Sequence, residues 1–253
     1  MTREEFETLK AGTLAEHNLN PDGVSRMSEK EILEQFQAVS DKIAMQNNMI
    51  PAEVLSQELP ANEYGYQEGA TIVLNSDLLS PSALSNLENL QEMQDTIYHE
   101  NSHLRDFEAS FLSEVRSGMT SEEIAGLADR LSEVPEDWDG YYYHPGEVKA
   151  REMGQLGVET IARNQELFAQ IDTELNGGRN QILAVCDFAI VNGEVVYEDT
   201  FEISNVLDQE SMNISDMQTF EDNDGMILSN EEIAEVSESV DECDFSSLDD
   251  GLE

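Results

Sequence analysis

Residues 95–106 read Asp-Thr-Ile-Tyr-His-Glu-Asn-Ser-His-Leu-Arg-Asp and lie inside a long run of helical periodicity. In a helix, positions four apart sit one above the other on the same face. His99 and His103 would then present two imidazoles to a single point, the spacing by which one helix supplies two ligands to a tetrahedral metal ion. Glu100 stands one step round from His99, close enough to reach a metal-bound water without being a ligand itself. A fold that uses this stretch must keep it helical. It must also bring a third ligand from elsewhere and leave one coordination position open to solvent.

The second requirement points downstream, to Tyr141-Tyr142-Tyr143-His144-Pro145-Gly146-Glu147-Val148-Lys149-Ala150-Arg151-Glu152. Pro145 suits the first turn of a helix, where its missing N–H costs nothing. Glu147 then falls in that first turn, placed to point across a cleft. Glu152, His144 and Asp139 compete with it as third ligand.

At these residues the chain resembles the zincin metallopeptidases, in particular the gluzincin-like domains of bacterial and phage proteins and of polymorphic toxins. In these, His-Glu-x-x-His is followed by a Pro-x-Glu-x-x-Ala helix. The matching residues are His99, Glu100, His103, Pro145, Glu147 and Ala150, and the resemblance spans roughly residues 60–175. The metzincin extension is excluded, because Asp106 and Ala109 stand where Gly and His are required. The thermolysin-type Asn-Glu-x-x-Ser-Asp signature is absent as well.

The resemblance implies an α+β, zincin-like fold, mostly helical with a small β-sheet. It implies one Zn²⁺ per chain on His99, His103 and Glu147, with Glu100 as general base in the hydrolysis of a peptide or protein substrate. Around that core the sequence divides into an N-terminal helical region (1–60), the metallopeptidase core (61–178) and a β-hairpin with an acidic C-terminal extension (179–253).

The charge is extreme: 55 acidic residues against 12 basic ones, a formal −43. Such a balance repels nucleic acid and anionic membrane surfaces and favours a basic partner or substrate, or simply solubility. It also fits a protein of another class, an acidic interaction protein acting as a nucleic-acid mimic or an inactive zincin-like binding module. Zinc content separates these readings. No run approaches the ~20 apolar residues of a membrane span. The N-terminus has no basic start followed by an apolar stretch, so the sequence points to a cytoplasmic protein, or to one exported without a cleaved leader. Cys186 and Cys243 lack zinc-ribbon or Cys-x-x-Cys spacing and read as free thiols. Oligomeric state leaves no mark.

Two amphipathic helices are expected over residues 3–17 and 28–47, joined by the turn-rich segment 18–23. Ser28 and Glu31 form a capping box, and Leu33, Phe36, Ile43 and Met45 mark a buried face. His17 reads as a surface residue. Residues 51–63 read as a connector, and 69–75 as a strand that could serve as the edge to which an extended substrate adds. From 82 to 117 the pattern is helical with one break near 86–89; Leu90, Met93, Ile97, Leu104, Phe107 and Phe111 supply a buried stripe. Asp95 and Asp106 flank the histidines along the helix, and Asp106 is the better candidate to orient one of them. Residues 120–134 form a short helix with Thr120 and Glu123 in capping-box register. Tyr142 and Tyr143, from the cluster 141–143, are candidates to stabilise an oxyanion. The helix from Pro145 ends near the Asn176-Gly177-Gly178 stop.

Beyond it, apolar runs at 182–191 and 195–197 flank Asn192-Gly193, a hairpin signal. No Lys or Arg follows Arg179. Residues 220–231 partly match an EF-hand loop, with Asp222, Asp224, Gly225, Ile227 and Glu231 in position. Phe220 takes the place of the first ligand, which leaves at most a weak Ca²⁺ site at Asp222–Glu231 and more readily an acidic turn. Residues 232–253 read as a mobile acidic tail.

Overall fold

Thr2 opens the first helix, α1 (Arg3–Asn18), by a reciprocal cap: its hydroxyl accepts the Glu5 N–H, and the Glu5 carboxylate accepts the Thr2 N–H at 2.6 Å. Asn20 caps a one-turn helix, α2 (Pro21–Val24), inside what the sequence presents as a turn, with Pro21 in its first turn. Ser28 and Glu31 form the expected capping box for α3 (Glu29–Gln46). Its buried face runs through Ile32, Phe36, Val39 and Ile43, with Leu33 and Met45 only half-buried. The computed structural model describes residues 1–135, 137–176, 188–191 and 193–197, all within the compact unit Met1–Ser204. Cys186, Cys243, the calcium-loop candidate Asp222–Glu231 and the acidic tail lie outside the described residues.

The connector expected over 51–63 holds a strand. β1 (Glu53–Gln57) pairs in parallel with β3 (Thr71–Asn75), and β2 (Gly65–Glu68) pairs antiparallel on its other side, giving the order β1-β3-β2. The strand read from sequence is therefore central, and β2 takes the edge. β1 carries little apolar signal because Val54 is its only buried residue. Gly69, at φ +61°, turns β2 into β3; that left-handed backbone suits a residue without Cβ. The buried Asn75 side chain donates to the Glu63 carbonyl at 2.8 Å, tying the approach to β2 to the end of β3.

A 3₁₀ turn (Ser76–Leu78) and the short α4 (Pro81–Leu84) lead to α5 (Leu87–Ala109), whose start is capped by Asn86. Leu90, Met93, Ile97 and Leu104 of α5 are fully buried against α3 and β3, each worth about 1.5–3 kcal/mol of transfer free energy. That core joins residues before and after position 60. The buried stripe stops earlier than its spacing suggests: Phe107 is 44% and Phe111 55% exposed, their rings edge to face on the surface. The helix ends at Ala109, and a separate α6 (Ser113–Ser117) follows.

α7 (Ser121–Arg130), with its Thr120–Glu123 capping box, and α8 (Trp138–Tyr142) precede α9 (Pro145–Asn176). α9 lies along α5, the most extensive helix contact among the described residues. Its closeness depends on Gly157, where a Cβ would overlap the Tyr98 ring. Gly157→Ala is expected to cost about 1–3 kcal/mol through overpacking, read as a lower urea midpoint with an unchanged slope. β4 (Phe188–Val191) and β5 (Glu194–Tyr197) form the expected antiparallel hairpin, with Gly193 at φ +83°. Ile190 N donates to Thr13 Oγ1 at 2.9 Å, docking the hairpin on α1.

Four helices meet at one buried carboxylate. Glu16 Oε2 accepts from Lys42 Nζ at 2.7 Å and from Asn164 Nδ2 at 2.7 Å, and Glu16 Oε1 accepts from Tyr98 OH at 3.1 Å. Glu16 and Lys42 are 0% and 2% exposed. His17, expected at the surface, is half-buried and stacks on Phe168 of α9 with ring centroids 3.8 Å apart. Among the described residues no helix is long and apolar enough to cross a membrane.

Candidate metal centre

α5, capped by Asn86, places His99 and His103 on one face, and the first turn of α9 brings Glu147 over them. His99 Nε2 and His103 Nε2 are 3.1 Å apart; Glu147 Oε2 lies 3.5 Å from the first and Oε1 3.3 Å from the second. Among the described residues these three side chains form the cluster able to hold a metal ion, with ligand atoms all within 4.8 Å of one another. Glu147 Oε2 is buried and has no hydrogen-bond partner among the described residues. A buried carboxylate oxygen left without a donor is costly, and the cluster has the donor set and spacing to hold a metal ion.

Burial alone would raise the Glu147 pKa, but the close approach and charge of His103 and His99 hold it well below the usual carboxylate range. Burial pulls His103 down, yet Glu147, Glu100 and Asp106 together raise it above an ordinary imidazole. Glu100 is 8% exposed, with Oε1 3.9 Å from His99 Nε2. Burial pushes its carboxyl up to about 7, against the lowering effect of both histidines and of the Gln67 backbone N–H. A cation on its neighbours would draw it back down.

The cluster opens into a cleft of about 630 Å³, within the range of small-molecule and peptide sites. β2 lines it through Gly65, Tyr66 and Gln67, and α8 and the segment before it contribute Leu131, Val134, Trp138 and Tyr141.

The competitors for the third ligand are placed elsewhere. Glu152 and Asp139 are exposed and do not line the cleft. His144 does line it, but its ring is engaged: Nδ1 accepts the Gly146 N–H at 3.2 Å, which leaves Nε2 to donate to Ser132 Oγ at 3.0 Å. Asp106 is a correction. Both its oxygens are taken by Arg130, at 2.6 and 2.9 Å, and no hydrogen bond to a histidine forms; it reaches His103 only as a nearby negative charge. Arg130, 24 positions on, carries no local sequence mark for this role.

The tyrosine assignment also changes. Tyr143 is 72% exposed, and Tyr142 lies under the Arg151 guanidinium, 4.1 Å from the ring centre; neither lines the cleft. Tyr141 does. Burial first, then the charge of Glu147 and a hydrogen bond to it, push its hydroxyl up to about 12. A one-turn helix turns only one of three consecutive tyrosines inward, and sequence alone does not say which. No protein-family model matches the chain, and neither a curated protein nor a solved structure matches it.

Proposed function

We propose that the chain is a zinc-dependent metallopeptidase with a zincin-like core, in which His99, His103 and Glu147 hold one Zn²⁺ and Glu100 is the general base. The observation that carries this reading is the spacing of the three ligand side chains. Ligands about 2.0–2.1 Å from a tetrahedral zinc lie roughly 3.3 Å from one another; the two Nε2 atoms are 3.1 Å apart, and each lies within 3.5 Å of one Glu147 oxygen, Oε1 for His103 and Oε2 for His99, with one ligand atom from each side chain inside a 4.8 Å spread. Two imidazoles and one carboxylate are also the donor set of a catalytic zinc that keeps a position open.

Zinc held there would supply Lewis acidity, lowering the pKa of a water to about 7 and polarising the scissile carbonyl. Glu100 removes a proton from the attacking water as its oxygen bonds to the carbonyl carbon. It then returns that proton to the amine nitrogen as the C–N bond breaks, so protons balance across the turnover. Tyr141, on the cleft wall beside Glu147, is placed to donate to a developing oxyanion. β2 offers an edge to which an extended peptide backbone can add. The net charge of −43 weighs against a nucleic-acid substrate.

Purified full-length protein is expected to carry about one zinc per chain, and His103→Ala close to none. Elemental analysis by mass spectrometry reads both, beside chelator-sensitive hydrolysis of a peptide library. A wild-type chain that takes up no zinc, or a His103→Ala chain that keeps it stoichiometrically, would overturn the reading.

A further inference from the structure

Five large apolar side chains remain exposed around one cleft. Phe107 comes from α5, Leu131 and Val134 from the segment after α7, and Trp138 and Tyr141 from α8. They are 44, 42, 43, 72 and 38% exposed, and all five line the cleft that holds the metal cluster. Apolar surface gathered at one concave place marks a binding site, in contrast to isolated exposed residues.

The segment that carries Leu131 is held in place. Ser132, between its two aliphatic members, donates to the Asp129 carbonyl at 2.7 Å and accepts from His144 Nε2 at 3.0 Å. Arg130, next to Leu131, is clamped by Asp106. His144 precedes α9 by one residue, so the loop is tied to the same helix start that presents Glu147. A segment fixed before binding loses little freedom when a ligand arrives.

The charges of the cleft narrow the ligand further. Glu63, Glu100 and Glu147 line it, which disfavours an acidic side chain. The positive charge of Arg130 is spent on Asp106. The five side chains of the wall carry no negative charge themselves, so what they offer a substrate residue is apolar contact area.

We propose that Phe107, Leu131, Val134, Trp138 and Tyr141 form a side-chain subsite selecting a large uncharged residue, aromatic or branched aliphatic, next to the bond that is cut. This rests on the peptidase reading above. It also makes the overall acidity of the chain irrelevant to local specificity, so a basic substrate residue is not what this wall selects.

Trp138 is the single tryptophan of the chain, and its emission therefore reports on the wall directly. The full-length zinc-loaded Glu100→Gln protein is titrated with end-blocked pentapeptides of alanine whose central residue is Phe, Leu, Glu or Lys. Phe and Leu peptides are expected to blue-shift Trp138 and to bind at least about tenfold tighter than Glu or Lys peptides. Wild-type protein should cut the same series in that order of kcat/KM.

Val134→Asp and Leu131→Asp, both at exposed positions, should erase the preference without lowering the melting temperature. Equal affinity for all four peptides, a preference for Lys, or unmoved emission would overturn the subsite. Preferential binding with no hydrolysis by wild type supports the subsite and removes the peptidase reading alone. Hydrolysis without preference does the reverse.

Discussion

Glu100→Gln is expected to keep its zinc and to lose kcat by about 10²–10⁴-fold, the usual contribution of a positioned general base. The substitution preserves shape and leaves the ligand atoms of His99, His103 and Glu147 untouched, while removing the lone pair that takes up the proton of water. Burial already disfavours the charged form of Glu100, so a neutral amide at this place is tolerated by the fold. His99→Ala supplies the contrast, because it deletes a ligand and should lose metal and hydrolysis together. Zinc per chain and turnover, measured on the same preparations, separate the two roles. Undiminished turnover in Glu100→Gln would remove Glu100 from the chemistry, and loss of its zinc would make Glu100 part of the coordination.

Features of the chain that depend on neighbours a few residues away are legible in the sequence. The capping boxes at Ser28 and Thr120 need only residues three apart, and both form. Pro145 marks the start of α9 because its ring fits a first turn and no later one. Placing His99 and His103 on one face needs only a helix. Glu147 meets them because its position in that first turn is likewise local, whereas the packing of α9 on α5 that brings it there is not.

What stayed hidden depends on partners distant in sequence. β1 reads Glu-Val-Leu-Ser-Gln with one buried side chain, too little alternation to mark a strand, and it exists because β3 offers it a parallel edge. Phe107 and Phe111 continue the helical spacing of the core stripe but run past the end of the surface that α3 and β3 cover. Asp106 sits at the right interval for a histidine, yet Arg130 reaches it first with a two-pronged bond that no imidazole can match. His17 looks solitary until Phe168 is folded onto it.

Glu16→Ala is expected to destabilise the fold by about 3–5 kcal/mol, the cost of leaving a buried charge without its partner. Lys42 Nζ would lose its carboxylate, and Tyr98 OH and Asn164 Nδ2 would lose an acceptor, with Lys42 and Asn164 buried and Tyr98 partly so. The pair Glu16→Leu with Lys42→Met removes both charges and should recover most of that loss, since an apolar replacement of a buried ion pair is often neutral or better. Urea unfolding of the single and double variants measures the difference, and a loss below about 1 kcal/mol for Glu16→Ala would show that the network does not hold the helices together. The consequence reaches the cleft. Tyr98 adjoins His99 on α5, and Asn164 shares α9 with Glu147, so this carboxylate fastens together the two helices that present the ligands. In conditions where Glu16→Ala remains folded, the zinc of the proposed site should therefore dissociate faster than from wild type. The double variant, which regains stability but has nothing polar for Tyr98 and Asn164 to grip, should retain part of that defect.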